Sequence, residues 1–279
     1  MASLLFAFIL STLLVIHSRR KKSLTVNGSA GAFLLGMVTF SSSYWLFTVA
    51  LLTFFITSSK LTKVKAERKR QLEEDYDLLS ERNLIQVLCN GLIGGIAVSL
   101  FHAYGESTQC YDLTRWGKVL LWIYIGHYSC CAGDTWASEL GILNKSDPFL
   151  ITTGKRVQPG VNGAVSPLGL AASLGGGITI GIVSALSLLV DQRCSGFAWD
   201  LVVLGSLAGL GGSLVDSLLG ATVQETLYSK DKHMVVSSKD NNKDTVVVSG
   251  WNILDNHQVN LLSSFITSGL CGLVAYYTY

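Results

Sequence analysis

Residues 131–165 read CAGDTWASELGILNKSDPFLITTGKRVQPGVNGAV. The stretch leaves one strongly apolar run, 118–132, and enters another, 164–190. Between them it gathers Asp134, Glu139, Asp147, Lys155 and Arg156 among several glycines. Charges set beside hydrocarbon are costly, so they mark sites and pathways more often than ordinary surface. Glycine lets a backbone approach a ligand closely and present its N–H groups. Carboxylates, a Lys-Arg pair and Gly-rich backbone together are the means of holding a metal-bound phosphate. Taken singly, each residue reads as well as a helix end, a Gly C-cap or a solvated charge; the set reads as a site.

The runs on either side decide the fold class. The chain has 279 residues, of which 49% are hydrophobic and 14% charged, with mean hydropathy +0.43. Soluble domains carry about 25% charged residues. With 28 glycines and only 3 prolines, the composition predicts an all-α, polytopic helical membrane protein. A net charge of +2 gives no reason to expect a nucleic-acid partner; the lipid bilayer is the expected one. Six cysteines at irregular spacing make neither a zinc pattern nor a disulfide framework.

Residues 2–17 are apolar and are followed, not preceded, by SRRKK. A secretory signal carries its positive charge in front, so this run reads as a short first anchor with its N-terminus outside. An interfacial helix or a processed peptide are the other readings. Residues 26–58 are apolar with a break at the serines 41–43, which suits two short spans in a hairpin. Basic clusters at 19–22 and 60–70 flank that hairpin, and two positive loops on the inside require an even number of spans between them. Residues 60–83 read as a charged helix at the membrane surface, with Lys63, Lys65 and Arg68 either solvated or gathering an anionic substrate. Runs at 84–103, 118–132, 164–190, 201–221 and 258–279 bring the total to about eight spans, with the glycines at 175–177 at a kink or a tight contact. One integral membrane domain therefore covers 1–279, with cytoplasmic loops at about 18–25, 60–83, 133–163 and 222–257. Cys110 and Cys194 fall in the two external loops, where oxidation can pair them.

This topology carries the unusual charges to one face. Asp216, in GGSLVDSLLGATVQ, is a lone carboxylate in an apolar helix and has to be paired, protonated or metal-bound. Mg²⁺ binds through one or two carboxylates plus substrate phosphates and waters. Asp134, Glu139 and Asp216 are the expected metal set, with Thr135 and Ser138 adding hydroxyls. Asp134 also reads as the N-cap of the helix that follows it. Lys155 and Arg156, in TGKRVQPGVNG, share ingredients with a phosphate loop without matching GxxxxGK[ST]. They make an expected anion site with Gly154, Gly160 and Gly163; Asn162 bonds a phosphate or ribose there, or simply sits in a turn. Asp255 reads as an N-cap with Gln258 completing a capping box, or, with Asn256, as part of the same pocket. His257 stands alone and reads as structural, and no Ser-His-Asp or Cys-His set is supported.

GDTWASELG, LITTGKRVQPGVNGAVS, GSLVDSLLGATVQ and LDNHQVNLLSS, with KKSLTVNGSAGAFLLG and SSKLTKVKAERKR upstream, resemble the transmembrane protein 19 family from about residue 21 to residue 264. That family includes the plant phytyl-phosphate kinase of the vitamin E pathway and a plant plasma-membrane protein linked to glucose response. The first and third motifs are also similar in style to polyprenol kinases and CDP-diacylglycerol synthases, which use CTP and Mg²⁺. The resemblance implies that Asp134 and Asp216 hold metal and that Lys155 holds phosphate. One departure bears on the nucleotide: the Ser-Pro-Lys-Lys loop ending in Glu-Gly of the CTP-using synthases is TGKRVQPGVNG here. The implied activity is phosphoryl transfer from an NTP, with CTP a candidate, to an isoprenyl or phytyl phosphate whose tail lies among the Gly-rich spans. A non-enzymatic, sugar-responsive membrane regulator and an ion-coupled transporter are the alternatives, and no inverted repeat favours the transporter. No plastid transit peptide is evident ahead of the first span, which points to the plasma membrane or endoplasmic reticulum.

Overall fold

The computed structural model describes residues 4–64, 67, 69, 71–72, 81–105, 110–191, 193–236 and 244–279. In its helices the pattern of a water-soluble protein is reversed. Val190 (79% exposed), Leu207 (67%) and Phe265 (62%) stand on the outside, while Ser184, Ser263 and Ser264 are buried. Hydrocarbon solvates the first group and cannot solvate the second. Hydroxyls inside the bundle bond back to their own helix: Ser264 Oγ donates to the Leu261 carbonyl at 3.1 Å and Thr267 Oγ1 to the Ser263 carbonyl at 2.8 Å.

The chain is mostly helical. The helices are α1 (Leu4–Arg20), α2 (Val26–Phe40), α3 (Trp45–Leu61), α4 (Leu84–Cys89), α5 (Leu92–Leu100, continued by a π-helical turn at Phe101–Gly105), α6 (Arg115–Gly141), α7 (Pro167–Asp191), α8 (Trp199–Val223) and α9 (Asn256–Tyr277). Among the described residues α7, α8 and α9 are each long and apolar enough to cross a bilayer, and α2, α3 and Leu92–Tyr104 are shorter apolar helices. The serine break at 41–43 is the turn between α2 and α3, as its composition predicts. Lys65, Arg68 and residues 73–80 of the expected surface helix lie outside the described residues. Lys63 is at the surface, where its ammonium donates to the Lys21 carbonyl.

Three boundaries differ from the sequence reading. The chain is not all-α: β1 (Phe149–Leu150) pairs antiparallel with β2 (Ala164–Val165), and β3 (Thr226–Ser229) is flanked by β4 (Met234–Val236) and β5 (Thr245–Ser249). Short runs such as MVV and TVVVS favour strands, yet they are far below the length a span search responds to. Second, α6 does not stop at residue 132. It runs on to Gly141, so Asp134 lies inside a helix rather than capping one. Third, the 84–103 run is two helices. Asn83 and Gln86 form a capping box that starts α4, and the chain breaks at Asn90–Gly91 before α5 begins.

Helix α6 is the centre of the bundle and packs against α7, α8 and α9; α7 and α8 also pack together. Glycine sets these distances. A Cβ on Gly133 of α6 would lie 2.5 Å from the Gly209 carbonyl oxygen of α8, and one on Gly209 would lie 2.6 Å from Gly177 Cα of α7. Backbones meet where side chains would otherwise stand. The glycines at 175–177 therefore form a tight contact, not a kink: α7 is continuous through them. This contact leaves no room for a lipid tail at the crossing itself.

The two ends of the bundle are distinct. One collects the C-termini of α1, α3, α6 and α8 and the N-termini of α2, α4, α7 and α9, joined by Thr25 N–H to the Arg82 carbonyl (3.0 Å), Arg19 to Glu81 (3.7 Å) and Trp251 N–H to the Thr222 carbonyl (3.0 Å). At the other, Cys110 and Cys194 form a disulfide with Cα atoms 4.9 Å apart. Beside it, Arg193 donates to Ser43 Oγ (3.1 Å) and its carbonyl (3.0 Å), pairs with Asp191 (3.0 Å) and stacks over the Tyr44 ring (4.4 Å). Tyr111 donates to Asp200 at 2.7 Å, and burial together with that carboxylate raises its phenol above the ordinary tyrosine range.

Candidate functional site

A cavity of about 780 Å³ opens at the first of these ends. That is within the range of ligand sites, roughly 300–1,000 Å³. Asp134 reaches it from α6 and Asp216 from α8. The glycine crossing explains the meeting: Gly133, next to Asp134, fixes the backbones of α6 and α8 against each other. The two carboxylates lie within electrostatic reach of one another, and Asp134 also senses Glu139 and Lys69. Asp216 accepts a hydrogen bond from Ser263 Oγ of α9 at 2.9 Å. Three helices thus build the polar floor.

The other expected residues divide into two groups. Gly160, Asn162 and Gly163 line the cavity. Gly163 has φ +77°, and a Cβ there would lie 2.6 Å from the Ala221 backbone nitrogen, so this loop is pressed onto the end of α8. The Asn162 backbone is tied to the three-stranded sheet: its N–H donates to Thr226 Oγ1 (3.2 Å) and its carbonyl accepts from Ser249 Oγ (3.3 Å). Asp255, Asn256 and His257 line the cavity too. Asp255 caps α9, accepting from the His257 and Gln258 N–H groups at 2.8 and 2.9 Å, while the Gln258 side chain accepts from the Asp255 N–H. The capping box read from the sequence is present, and the same residue borders the site.

Gly154, Lys155 and Arg156 are not among the lining residues. They occupy the exposed tip of a hairpin closed by Leu150 N–H to the Lys155 carbonyl (2.9 Å) and Val157 N–H to the Pro148 carbonyl (3.0 Å). Gly154 supplies the positive φ of that tip, +64°, and Arg156 stacks over the Phe149 ring at 5.0 Å. Their backbone completes a turn, which is why the residue types resemble a phosphate loop while the placement differs. All three residues of the expected metal set, Asp134, Glu139 and Asp216, line the cavity. Glu139 is buried and pairs with Lys69 at 2.7 Å, and no three His, Cys, Asp or Glu side chains converge as a metal group among the described residues.

Among the described residues the cations that line the cavity are Lys69 and Arg82. Arg82 donates to Ser59 Oγ at 3.1 Å and stands over the Phe55 ring at 5.7 Å. Enclosure pushes its guanidinium below the ordinary arginine range, and the Glu139 carboxylate opposes that shift; it remains a cation at neutral pH. Both cations sit in the charged 60–83 segment, where composition alone cannot separate an inward Lys69 or Arg82 from a solvated neighbour. Asn90 and Gln86 were equally hidden. Asn90 ends α4, and its freed carbonyl lies 3.0 Å from Nε2 of the buried His127 in α6.

Among the described residues, two cations face five lining carboxylates, Asp134, Glu139, Asp216, Glu225 and Asp255. An anion entering such a site needs a compensating cation. Two aspartates bordering one cavity, Asp216 held by the Ser263 hydroxyl, form with the free volume beside them a donor set that suits Mg²⁺ shared with a phosphate.

The family model described as "Integral membrane protein DUF92" matches residues 9–268. Protein PGR of Arabidopsis thaliana is 38% identical over 99% of this chain and 97% of its own length. The uncharacterized membrane protein MJ0933 of Methanocaldococcus jannaschii is 27% identical, over 99% and 95%. Protein VTE6, chloroplastic, of Arabidopsis thaliana is 25% identical, over 80% and 62%. No solved structure matches. With lipid-facing apolar helices, a polar interior and a match over nearly its whole length, the chain belongs to the integral membrane protein DUF92 family, to which its transmembrane protein 19 motifs already pointed.

Proposed function

We propose that this protein transfers a phosphoryl group from an NTP, with CTP a candidate, to an isoprenyl or phytyl phosphate in the cytoplasmic leaflet, and that all eight helical traverses, with α4 and α5 counted as one, cross the bilayer as a single domain. The observation that carries the reading is the one cavity where Asp134 and Asp216, from separate helices, meet Lys69, Arg82 and the loop 160–163. Phosphoryl transfer asks a protein mainly for positioning and charge neutralisation. Asp134 and Asp216 would hold Mg²⁺, which supplies neutralisation of phosphate charge when bound. Arg82 orients a phosphate through its fork of donors. Lys69, held by Glu139, keeps a positive charge at the wall. Ser263 fixes the Asp216 carboxylate, and the backbone at Gly160 and Gly163 borders the phosphate space. β3, β4 and the 160–163 loop form further walls of the cavity.

The plastid joins the plasma membrane and endoplasmic reticulum as a candidate location, because one relative is named as chloroplastic. The test is purified protein with labelled ATP or CTP, Mg²⁺ and a panel of prenyl monophosphates. Labelled prenyl diphosphate that disappears with Asp134→Asn supports the reading. No transfer to any acceptor, together with full rescue of a null mutant by Asp134→Asn, would establish the regulatory alternative.

A further inference from the structure

Beside the polar cavity lies a second, apolar space of about 50 Å³, bounded by Leu14, Leu35, Leu51, Phe54, Phe55 and Val87. It shares Phe54, Arg82, Gln86 and Asn90 with the larger cavity, so the two have a common wall. Its position follows from the packing. Helix α3 rests on α6, α7 and α2, and α4 on α2 and α9, so α2 touches both and the space is a seam between α3 and α4 with Ala32 and Leu35 of α2 in its wall. Arg82 spans that seam, bonded to Ser59 and stacked on Phe55, both of α3. On the same two helices, α3 and α4, Ile56, Ile85 and Leu88 are exposed apolar side chains.

We propose that this seam receives the hydrocarbon tail of a single-chain amphiphile whose phosphate lies in the polar cavity beside Arg82. The inference rests on the phosphoryl-acceptor reading for the head group and adds the route of the tail. Three observations support it. The polar side of the shared wall is cationic, which suits a phosphate, and the other side is hydrocarbon-lined, which suits a tail. The Gly-rich crossing of α6, α7 and α8 is closed by backbone contact and cannot take the tail. The small volume fits only the carbons next to the head group, so the rest of the chain passes between α3 and α4 into the bilayer. A diacyl lipid, with two chains at its head group, does not fit one narrow seam.

The experiment uses the full-length protein in nanodiscs and a C20 prenyl monophosphate carrying a diazirine near its head group, with a C5 prenyl monophosphate and inorganic phosphate as short probes. Photolysis and peptide mapping are expected to place the label on Phe54, Phe55 or Val87. Ala32→Phe, which adds a ring at the seam wall, is expected to weaken C20 binding by about tenfold or more and C5 or phosphate binding by less than about twofold. Label on α6, α7 or α8 instead, or equal losses for long and short probes, would overturn the proposal. Label in the seam without transfer from any nucleotide would sustain the tail route and remove the kinase reading. Transfer with label elsewhere would do the reverse.

Discussion

Asp216→Asn separates a functional carboxylate from a structural one. If Asp216 were half of a buried ion pair, losing its charge would strand a partner and cost roughly 3–5 kcal/mol. Among the described residues no cation pairs with it: its contact is the Ser263 hydroxyl at 2.9 Å, and its charged neighbour is Asp134. Asparagine keeps the shape and an oxygen for Ser263. Exchanging a charged acceptor for a neutral one loses about 1 kcal/mol. Removing repulsion between two carboxylates in one cavity returns on the order of 1–2 kcal/mol at an effective dielectric near 20. The terms nearly cancel, so melting temperature and membrane-extracted abundance should stay near wild type. Transfer should fall about 100-fold or more, the scale for losing one electrostatic element of a preorganised site. Abundance falling in proportion to activity would refute this reasoning, as would normal abundance with normal transfer.

Lys69→Met or Glu139→Leu alone should cost roughly 3–5 kcal/mol in detergent-solubilised stability, because each leaves its partner's charge buried, and the double variant should recover most of it; additive losses would contradict the pairing. Cys194→Ser opens a loop that closes 84 residues of sequence separation and should lower stability by about 4–5 kcal/mol, with thiol-reactive mass labelling of Cys110 as the direct check. Gly209→Ala places a Cβ against Gly177 Cα and should abolish accumulation of folded protein, read by size-exclusion monodispersity, whereas Gly211→Ala, with open space around it, should be tolerated.

Much of the fold is legible in the sequence because spans are long and their signal is composition summed over many residues. The serine break at 41–43, the basic clusters and the Asp255–Gln258 capping box are local patterns with one physical reading. What the sequence withholds is short or three-dimensional. Five strands of two to five residues fall beneath the scale of a hydropathy run. Asp134 looks like the start of a loop because hydropathy drops at Gly133, but packing of α6 against three helices carries the helix eight residues further. Asp134 and Asp216 are conspicuous as carboxylates amid apolar residues, and they do share a cavity. Lys155 and Arg156 attract notice by residue type, whereas Lys69 and Arg82 are inconspicuous in a charged segment. Only the fold tells which pair faces inward.

That exchange of cations is where the account is most exposed to test. Equilibrium binding of a prenyl monophosphate to the purified protein in nanodiscs should be compared for wild type, Arg82→Gln and Lys155→Gln, each checked for unchanged melting temperature. A charge-assisted hydrogen bond lost inside the cavity should raise Kd by about 10–100-fold for Arg82→Gln. Lys155→Gln, at the exposed hairpin tip, should leave Kd within about twofold. A large loss at Lys155 with none at Arg82 would place the phosphate at the hairpin and contradict the two-aspartate cavity as the site.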